Sequence, residues 1–229
     1  MTRFVFSLAF ILYFSSSSLA AVVIVGYDTT NPNGTNPAAP DLPAAVKQDG
    51  VEDLDLARGP GLTPNAGATF NSSDWSLATS LDLLSGDYIS WGWSASSVPW
   101  DLSTLDIEYD VSASGPTQLA IALSVNGGSF QTFFTDDEIE VNDEAHVGIS
   151  LTQFTGVTSA EFRLFGFGPD IPADGRFRGP GGTLDIENIE PITSNNLGII
   201  VSGNAVPEPG AGMVCFAACI ALTGRRRRA

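Results

Sequence analysis

The most constraining feature of this chain is a two-residue alternation of apolar and polar side chains. Between residues 105 and 111 every second residue is apolar, and the three residues between them are Asp or Glu. Residues 119 to 125 alternate larger apolar residues with alanine and serine. Because successive side chains of a strand point to opposite faces, both segments are predicted to be β-strands with one buried face. No stretch of the body shows a sustained helical period.

Turn residues separate such segments along the body. Asn126-Gly127-Gly128 tolerates positive φ, so residues 119–125 and 130–134 are predicted to form a β-hairpin. Further strands are predicted at residues 22–27, 87–95, 146–152, 160–167 and 183–189. About eight short antiparallel strands indicate an all-β fold, a two-sheet antiparallel sandwich of jelly-roll type.

The N-terminus is typical of a Sec signal peptide. Arg3 supplies a positive charge, residues 4–14 are apolar, and Ser18-Leu19-Ala20 fits a cleavage site before Ala21. A first transmembrane helix is the alternative, but eleven apolar residues are short for one. The chain then divides into the signal peptide (1–20), an N-terminal strand with an irregular extension (21–68), the sandwich body (69–205) and a tail (206–229).

That tail has three parts. It begins with Val206, Pro207, Glu208 and Pro209, continues with the apolar residues 210–224, and ends with Arg225, Arg226, Arg227 and Arg228 before Ala229. The prolines stop any helix that runs from the body, and 15 apolar residues span roughly 22 Å as a helix. Arginines are costly to translocate, so we expect them on the cytoplasmic side of a single transmembrane helix. A terminal strand or helix of the fold is the alternative.

This tail resembles the PEP-CTERM sorting signal. The resemblance implies a protein of Gram-negative bacteria that passes the Sec translocon and signal peptidase, is anchored transiently in the inner membrane, and loses its tail to an exosortase-type protease. The cell surface or the extracellular matrix would be its destination. Short matches in the body, among them Arg58-Gly59-Pro60-Gly61-Leu62 and Phe162-Arg163-Leu164, resemble surface proteins that carry such tails in planctomycete-type bacteria. They imply a β-sandwich without an assigned activity.

Charge excludes some partners. Without the signal peptide and the tail, five basic and 25 acidic residues remain, a formal net charge of −20. Such a surface repels nucleic acid, and we expect no nucleic-acid binding. Residues 21–205 contain no cysteine, so the body must be stabilised by its core and not by disulfides.

Residue types give little support for catalysis, and we expect a protein that is not an enzyme. His146 is the single histidine, and no Gly-x-Ser-x-Gly motif is present. With one histidine and no cysteine in residues 21–205, a His/Cys zinc site in the body is excluded. A glycosidase that uses two carboxylates stays open on residue type alone, because 25 acidic residues supply many pairs.

Hard oxygen ligands suggest Ca²⁺ as a possible bound ion. Asp136, Asp137 and Glu138 form one candidate site, and Asp185 and Glu187 form a second near the end of the body. Calcium binds six to eight oxygens with flexible spacing. The alternative for the first group is a solvated acidic loop, since the spacing of an EF-hand is absent.

Three tryptophans form the last candidate site. Trp91, Trp93 and Trp100 would stack on sugar rings if they were exposed, whereas Trp91 and Trp93 on one strand face would otherwise fill the core. Two hypotheses follow: an exported, non-catalytic surface or matrix protein, or a calcium-supported carbohydrate-binding module that binds extracellular polysaccharide. Burial of all three tryptophans favours the first.

Overall fold

A computed structural model describes residues 20–30, 41–67, 69–139, 141, 144–169, 175, 178–179, 181–189 and 196–207. Every regular element in these residues is a β-strand, and none of them forms a helix that could cross a membrane. The predicted signal-peptide core, the rest of the tail from residue 208 and its four arginines lie outside this described part.

Fourteen strands make up the described part. They are β1 (Val22–Asp28), β2 (Asp41–Leu42), β3 (Val46–Lys47), β4 (Val51–Arg58), β5 (Thr63–Pro64), β6 (Phe70–Ser73), β7 (Tyr88–Ser96), β8 (Trp100–Val111), β9 (Gln118–Val125), β10 (Gln131–Asp136), β11 (Glu144–Ser150), β12 (Ala160–Phe167), β13 (Leu184–Ile186) and β14 (Leu197–Ala205).

The strands form two antiparallel sheets. The first has the order β3-β1-β14-β8-β13-β6-β5, with β11 also paired to β8, and the second has the order β10-β9-β12-β7-β4-β2. Along one edge of β8, β14 and β13 lie end to end, with Ile199 opposite Ile107 and Ile186 opposite Tyr109. β11 pairs along the other edge of β8. The prediction of an all-β fold with two antiparallel sheets is therefore confirmed.

One hydrophobic core lies between the sheets. Ile107 and Ile199 of the first sheet and Trp91, Ile121 and Phe162 of the second belong to the same buried cluster. A hydroxyl group also bridges the sheets: Tyr27 Oη of β1 lies 2.6 Å from the carbonyl oxygen of Leu54 on β4. The alternation in the sequence encodes the burial of these apolar faces. Each Å² of apolar surface removed from water stabilises the fold by roughly 25 cal/mol.

The predicted hairpin is confirmed. β9 and β10 pair with Ala120 opposite Thr135, and Asn126 and Gly127 between them have φ values of 53° and 72°. Gly127 tolerates this conformation because it has no Cβ.

Six strands were not among those that the sequence predicted, β2 to β6 and β14, and the two longest of them, β4 and β14, complete the sheets. β14 lies between β1 and β8, and Leu197–Val201 is buried throughout, so this strand carries a continuous apolar run without alternation. β4 falls in the segment predicted to be irregular, yet it pairs with β7 in the second sheet. Its acidic residues at positions 52, 53 and 55 obscured the strand pattern.

Both ends of the described chain leave the fold at one end of the first sheet. Val22 pairs with Gly203, so Ala20 and Ala21 lie beside the last residues of β14. Ala20, Ala21 and Pro207 are exposed. Val206 donates its backbone N–H to the carbonyl oxygen of Pro99 at 2.9 Å, which fixes the last residues before the tail to the fold.

Candidate ligand-binding face

The outer face of the second sheet carries a charged pair on β12. Phe162 and Leu164 point into the core and are fully buried, so Glu161 and Arg163 point outward. In register, Glu161 lies between Gly92 and Ser124, and Arg163 lies between Ser90 and Ala122. The neighbours on both sides are small, and the pair therefore lies in a trough between β7 and β9. We call residues Ser90, Gly92, Ser124, Glu161 and Arg163 the β12 trough.

The guanidinium of Arg163 is fixed in place. Its Nε donates to Glu161 Oε1 at 2.7 Å, and its Nη2 lies 2.7 Å from the same oxygen. The guanidinium carbon lies 4.2 Å from the ring centroid of Tyr88 and 4.2 Å from that of Phe130. Cation–π contacts of this kind contribute about 0.5–1 kcal/mol each at partly exposed sites. The result is a rigid polar group with an aromatic ring on either side.

A surface recess of about 250 Å³ adjoins the trough at the N-terminal end of β12. Ser94, Ser124 and Ser159 supply hydroxyl groups to its walls, Glu161 supplies a carboxylate, and Leu54 supplies an apolar contact. Hydroxyls, one ion pair and a few apolar groups can hydrogen-bond and pack against a polyhydroxylated ligand.

The predicted tryptophan platform is wrong. Trp91 and Trp93 are 0% exposed and Trp100 is 4% exposed. Trp91 stacks on Phe162 inside the core, with ring centroids 5.5 Å apart and planes 5° apart. Trp100 begins β8 and donates Nε1–H to Ser96 Oγ at 2.8 Å. Burial of a large apolar ring at an inward position of a strand is more favourable in free energy than its exposure to solvent.

The first predicted calcium group does not converge. Asp137 and Glu138 are exposed, whereas Asp136 turns into the gap between the two sheets. Asp136 Oδ2 accepts a 2.6 Å hydrogen bond from Tyr109 Oη, and its Oδ1 accepts one from the backbone N–H of Glu138 at 3.1 Å. Because its oxygens serve this network, Asp136 acts as a structural acceptor. Among the described residues, no group of three or more His, Cys, Asp or Glu side chains is arranged to hold a metal ion.

His146, the single histidine, belongs to the same network. Its Nε2 lies 2.6 Å from Tyr109 Oη and 3.5 Å from Asp136 Oδ2, and its ring stacks on Tyr109 with centroids 5.3 Å apart. Tyr109 has one hydroxyl proton, and it donates that proton to Asp136. Nε2 of His146 must therefore carry a proton if both bonds form. The network joins β8, β10 and β11 where the edges of the two sheets meet.

This network predicts a loss of stability in acid. Burial raises the pKa of Asp136, but hydrogen bonds from His146, Tyr109 and the backbone of Glu138 outweigh it and lower the pKa to about 2. A lowered folded-state pKa stabilises the fold above pH ~4, and that stabilisation disappears as pH falls through about 2. Asp136→Asn should lower the free energy of unfolding by about 1 kcal/mol at pH 6, and the difference should vanish near pH 2.

Urea unfolding of the full chain between pH 6 and pH 2 measures this difference. Asp137→Asn, which changes an exposed neighbour, is the control. An equal loss of stability for Asp136→Asn at all pH values would contradict the assignment.

The second predicted calcium pair does lie close together. Asp185 Oδ2 and Glu187 Oε1 are 3.3 and 3.1 Å from Thr69 Oγ1, whose single hydroxyl proton they share. Burial, followed by the charges of Glu187 and Asp110, raises the pKa of Asp185 to about 7. This carboxyl therefore lies among like charges on the outer face of the first sheet.

Sequence reasoning missed the β12 trough. The alternation of residues 160–167 does place Glu161 and Arg163 on the polar face, which was the available signal. The convergence of Tyr88 and Phe130 on Arg163 depends on strands that are distant in sequence, and no local pattern encodes it.

Comparison with known proteins gives few matches. No protein-family model matches the chain, and no curated protein matches it. Among solved structures, the chain is similar to a point mutant of the family 29 carbohydrate-binding module CBM29-2, with TM-score 0.39, 11% identity, and coverage of 79% of this chain and 92% of that chain. A second mutant, complexed with mannohexaose, gives TM-score 0.38 and 10% identity over 80% of this chain and 93% of that chain. Likeness at this level carries no argument about the fold or ligand of this chain.

Proposed function

We propose that this chain is an exported, non-catalytic surface protein whose sandwich, of jelly-roll type, binds a neutral extracellular polysaccharide in the β12 trough. In this proposal the Sec translocon exports the chain and signal peptidase cleaves it before Ala21. An exosortase-type protease then removes the PEP-CTERM-like tail. The exposure of Ala20 and Ala21 at the proposed signal-peptidase site and of Pro207 in the Val206–Pro209 motif supports this proposal, because a protease can reach an exposed segment.

The observation that carries the binding proposal is the fixed Arg163–Glu161 pair. Its guanidinium is held at 2.7 Å by the carboxylate and flanked at 4.2 Å by two aromatic rings. A planar, preorganised group of this kind can hydrogen-bond to neighbouring hydroxyls of a sugar ring with little loss of side-chain entropy. Tyr88 and Phe130 supply apolar ring surface for the C–H groups of the sugar.

The electrostatics favour a neutral polymer. The pair has no net charge, and the surrounding body carries a formal charge of −20. An anionic polysaccharide would be repelled by this surface at moderate ionic strength, whereas a neutral polysaccharide would not. The hydroxyl-rich recess beside the trough extends the surface available to a chain of sugars.

Arg163→Ala is expected to weaken polysaccharide binding by at least about tenfold, since it removes the donors and the partner of Glu161. Affinity electrophoresis through gels that contain neutral polysaccharides of different linkage measures this, on protein purified from the surface of expressing cells. Lys47→Ala, which removes one positive charge at the edge strand β3, is the matched control, and circular dichroism confirms folding of both variants.

Two outcomes would contradict the proposal. If Arg163→Ala bound as tightly as the wild type, the trough would not be the binding site. If no neutral polysaccharide retained the wild type, the protein would not have the proposed binding function. The intact mass of the same preparation tests the sorting proposal separately, because a mature protein that retains Arg225 to Arg228 would not have been processed.

A further inference from the structure

Oxygen-bearing side chains form a row on the outer face of the first sheet. β13 pairs with β6 on one side and β8 on the other, so that Asp185 lies directly between Asn71 and Asp110. Register partners in antiparallel strands project to the same face. Glu187, two residues after Asp185, projects to this face as well, and its backbone N–H donates to the carbonyl oxygen of Glu108. Three strands thus bring carboxylate and amide oxygens together.

Among the described residues, two oxygens in this row are buried and have no hydrogen-bond partner. They are Oδ1 of Asn71 and Oδ1 of Asp185. Asn71 is 8% exposed, so bulk water does not satisfy its amide oxygen. A buried acceptor without a partner costs about 1–3 kcal/mol, and such groups call for an explanation.

The surroundings of Asn71 indicate the direction of its amide oxygen. A Cβ built on Gly67 would lie 3.1 Å from Asn71 Nδ2, so the amide nitrogen faces the loop before β6. That loop lies on the β5 side of β6, where Asn65 donates to the carbonyl oxygen of Asn71. The amide oxygen is therefore turned away from this loop, on the face that Asn71 shares with its register partner Asp185.

The hydrogen bonds of the neighbouring donors Thr69 and Arg58 go to other acceptors than these two oxygens. Thr69 Oγ1 contacts Oδ2 of Asp185 and Oε1 of Glu187, and not Asp185 Oδ1. The guanidinium of Arg58 is nearby, but its Nε donates to Ser72 Oγ and its Nη2 donates to the carbonyl oxygen of Asn71, both at 2.8 Å. Within the described part of the chain, Asp185 Oδ1 accepts no hydrogen bond.

We propose that Asp185 Oδ1 and Asn71 Oδ1 bind a calcium ion on the outer face of the first sheet. Ca²⁺ accepts carboxylate and amide oxygens in one flexible shell, and the Glu187 carboxylate and water complete the coordination. Such a site uses two carboxylates and one amide, so it requires no group of three acidic side chains. The ion links β6 to β13 and neutralises like charges that folding brings together. This site is independent of the β12 trough.

Thermal unfolding of the full chain tests the site directly. The protein is stripped with EDTA and melted at pH 8 with increasing CaCl₂, and MgCl₂ serves as the comparison ion. Calcium at about 100 times the dissociation constant should raise the Tm by about 5–10 °C, because only the native state holds the two oxygens together. Mg²⁺ should raise it less, since it requires a smaller octahedral shell.

Two variants of the site and one control variant assign the effect to these atoms. Asp185→Asn should abolish the calcium-dependent rise, and in EDTA it should melt at or above the wild-type Tm because a charge has left the cluster. Asp55→Asn, an exposed change on β4, should respond to calcium as the wild type does. Asn71→Asp should lower the Tm in EDTA and enlarge the rise with calcium, and it keeps the test decisive if Asp185→Asn does not fold.

A wild-type Tm that calcium leaves unchanged would overturn the proposal and indicate a reversed Asn71 amide that donates to Asp185. A full calcium response in Asp185→Asn would overturn it as well, by placing the ion elsewhere.

Discussion

Gly92→Ala is expected to lower the free energy of unfolding by about 3–5 kcal/mol. Gly92 has φ +137°, and a Cβ added there would lie 2.1 Å from the carbonyl oxygen of Ala160. That oxygen belongs to the backbone of β12, which pairs with β7 over Ala160 to Phe165 and cannot move away without breaking the ladder. Both the backbone conformation and the clash oppose any side chain here.

Gly92 also takes part in the link between the sheets. Its backbone N–H donates to Tyr27 Oη at 3.1 Å, and its carbonyl oxygen lies 2.9 Å from the same hydroxyl. A shift of β7 that relieved the clash would break this buried contact.

Gly127→Ala provides a matched control for this prediction. Gly127 also has positive φ, +72°, but nothing lies within 4 Å of an added Cβ. Gly127→Ala should lower the free energy of unfolding by about 1 kcal/mol, because only the backbone conformation opposes the side chain. Urea unfolding monitored by tryptophan fluorescence gives both values. Equal losses for the two glycines would show that the contact with Ala160 does not determine the effect.

Trp91→Ala should lower the free energy of unfolding by about 3–5 kcal/mol. The indole is fully buried, stacks on Phe162 at 5.5 Å, and lies at the centre of the second sheet's inner face. Its removal leaves a large cavity that neighbouring rings cannot fill.

Trp91→Phe should lower the free energy of unfolding much less than Trp91→Ala. It keeps an aromatic ring, and it removes an indole N–H that has no hydrogen-bond partner among the described residues. Leu84→Ala, at a 94% exposed position, is the surface control. If Trp91→Ala left stability unchanged and reduced polysaccharide binding, the core assignment would be wrong and the tryptophan platform would return.

The sequence gives a signal for one of these two effects and not for the other. Trp91 lies in an alternating strand, and its burial follows from the pattern around it. Gly92 carries no such signal, because its importance depends on how closely the backbone of β12 approaches β7 at that point.

The sequence by itself determined the secondary structure type and most of the strands. Alternation at residues 105–111 and 119–125 and the Asn126-Gly127-Gly128 turn encode local geometry, and local geometry follows from local residues. The processing segments at the two ends, residues 1–20 and 206–229, are also properties of short stretches, and they stay predictions.

Only the tertiary structure decided which side chains meet. It placed β14, with its continuous apolar run, at the centre of the first sheet, and it buried Trp100 at the start of β8. It also brought Arg163 between Tyr88 and Phe130, and Asp185 between Asn71 and Asp110. These contacts join residues from 33 to 114 positions apart in the chain. Strand order and register across a sheet are set by packing of the whole core, and no local sequence pattern contains that information.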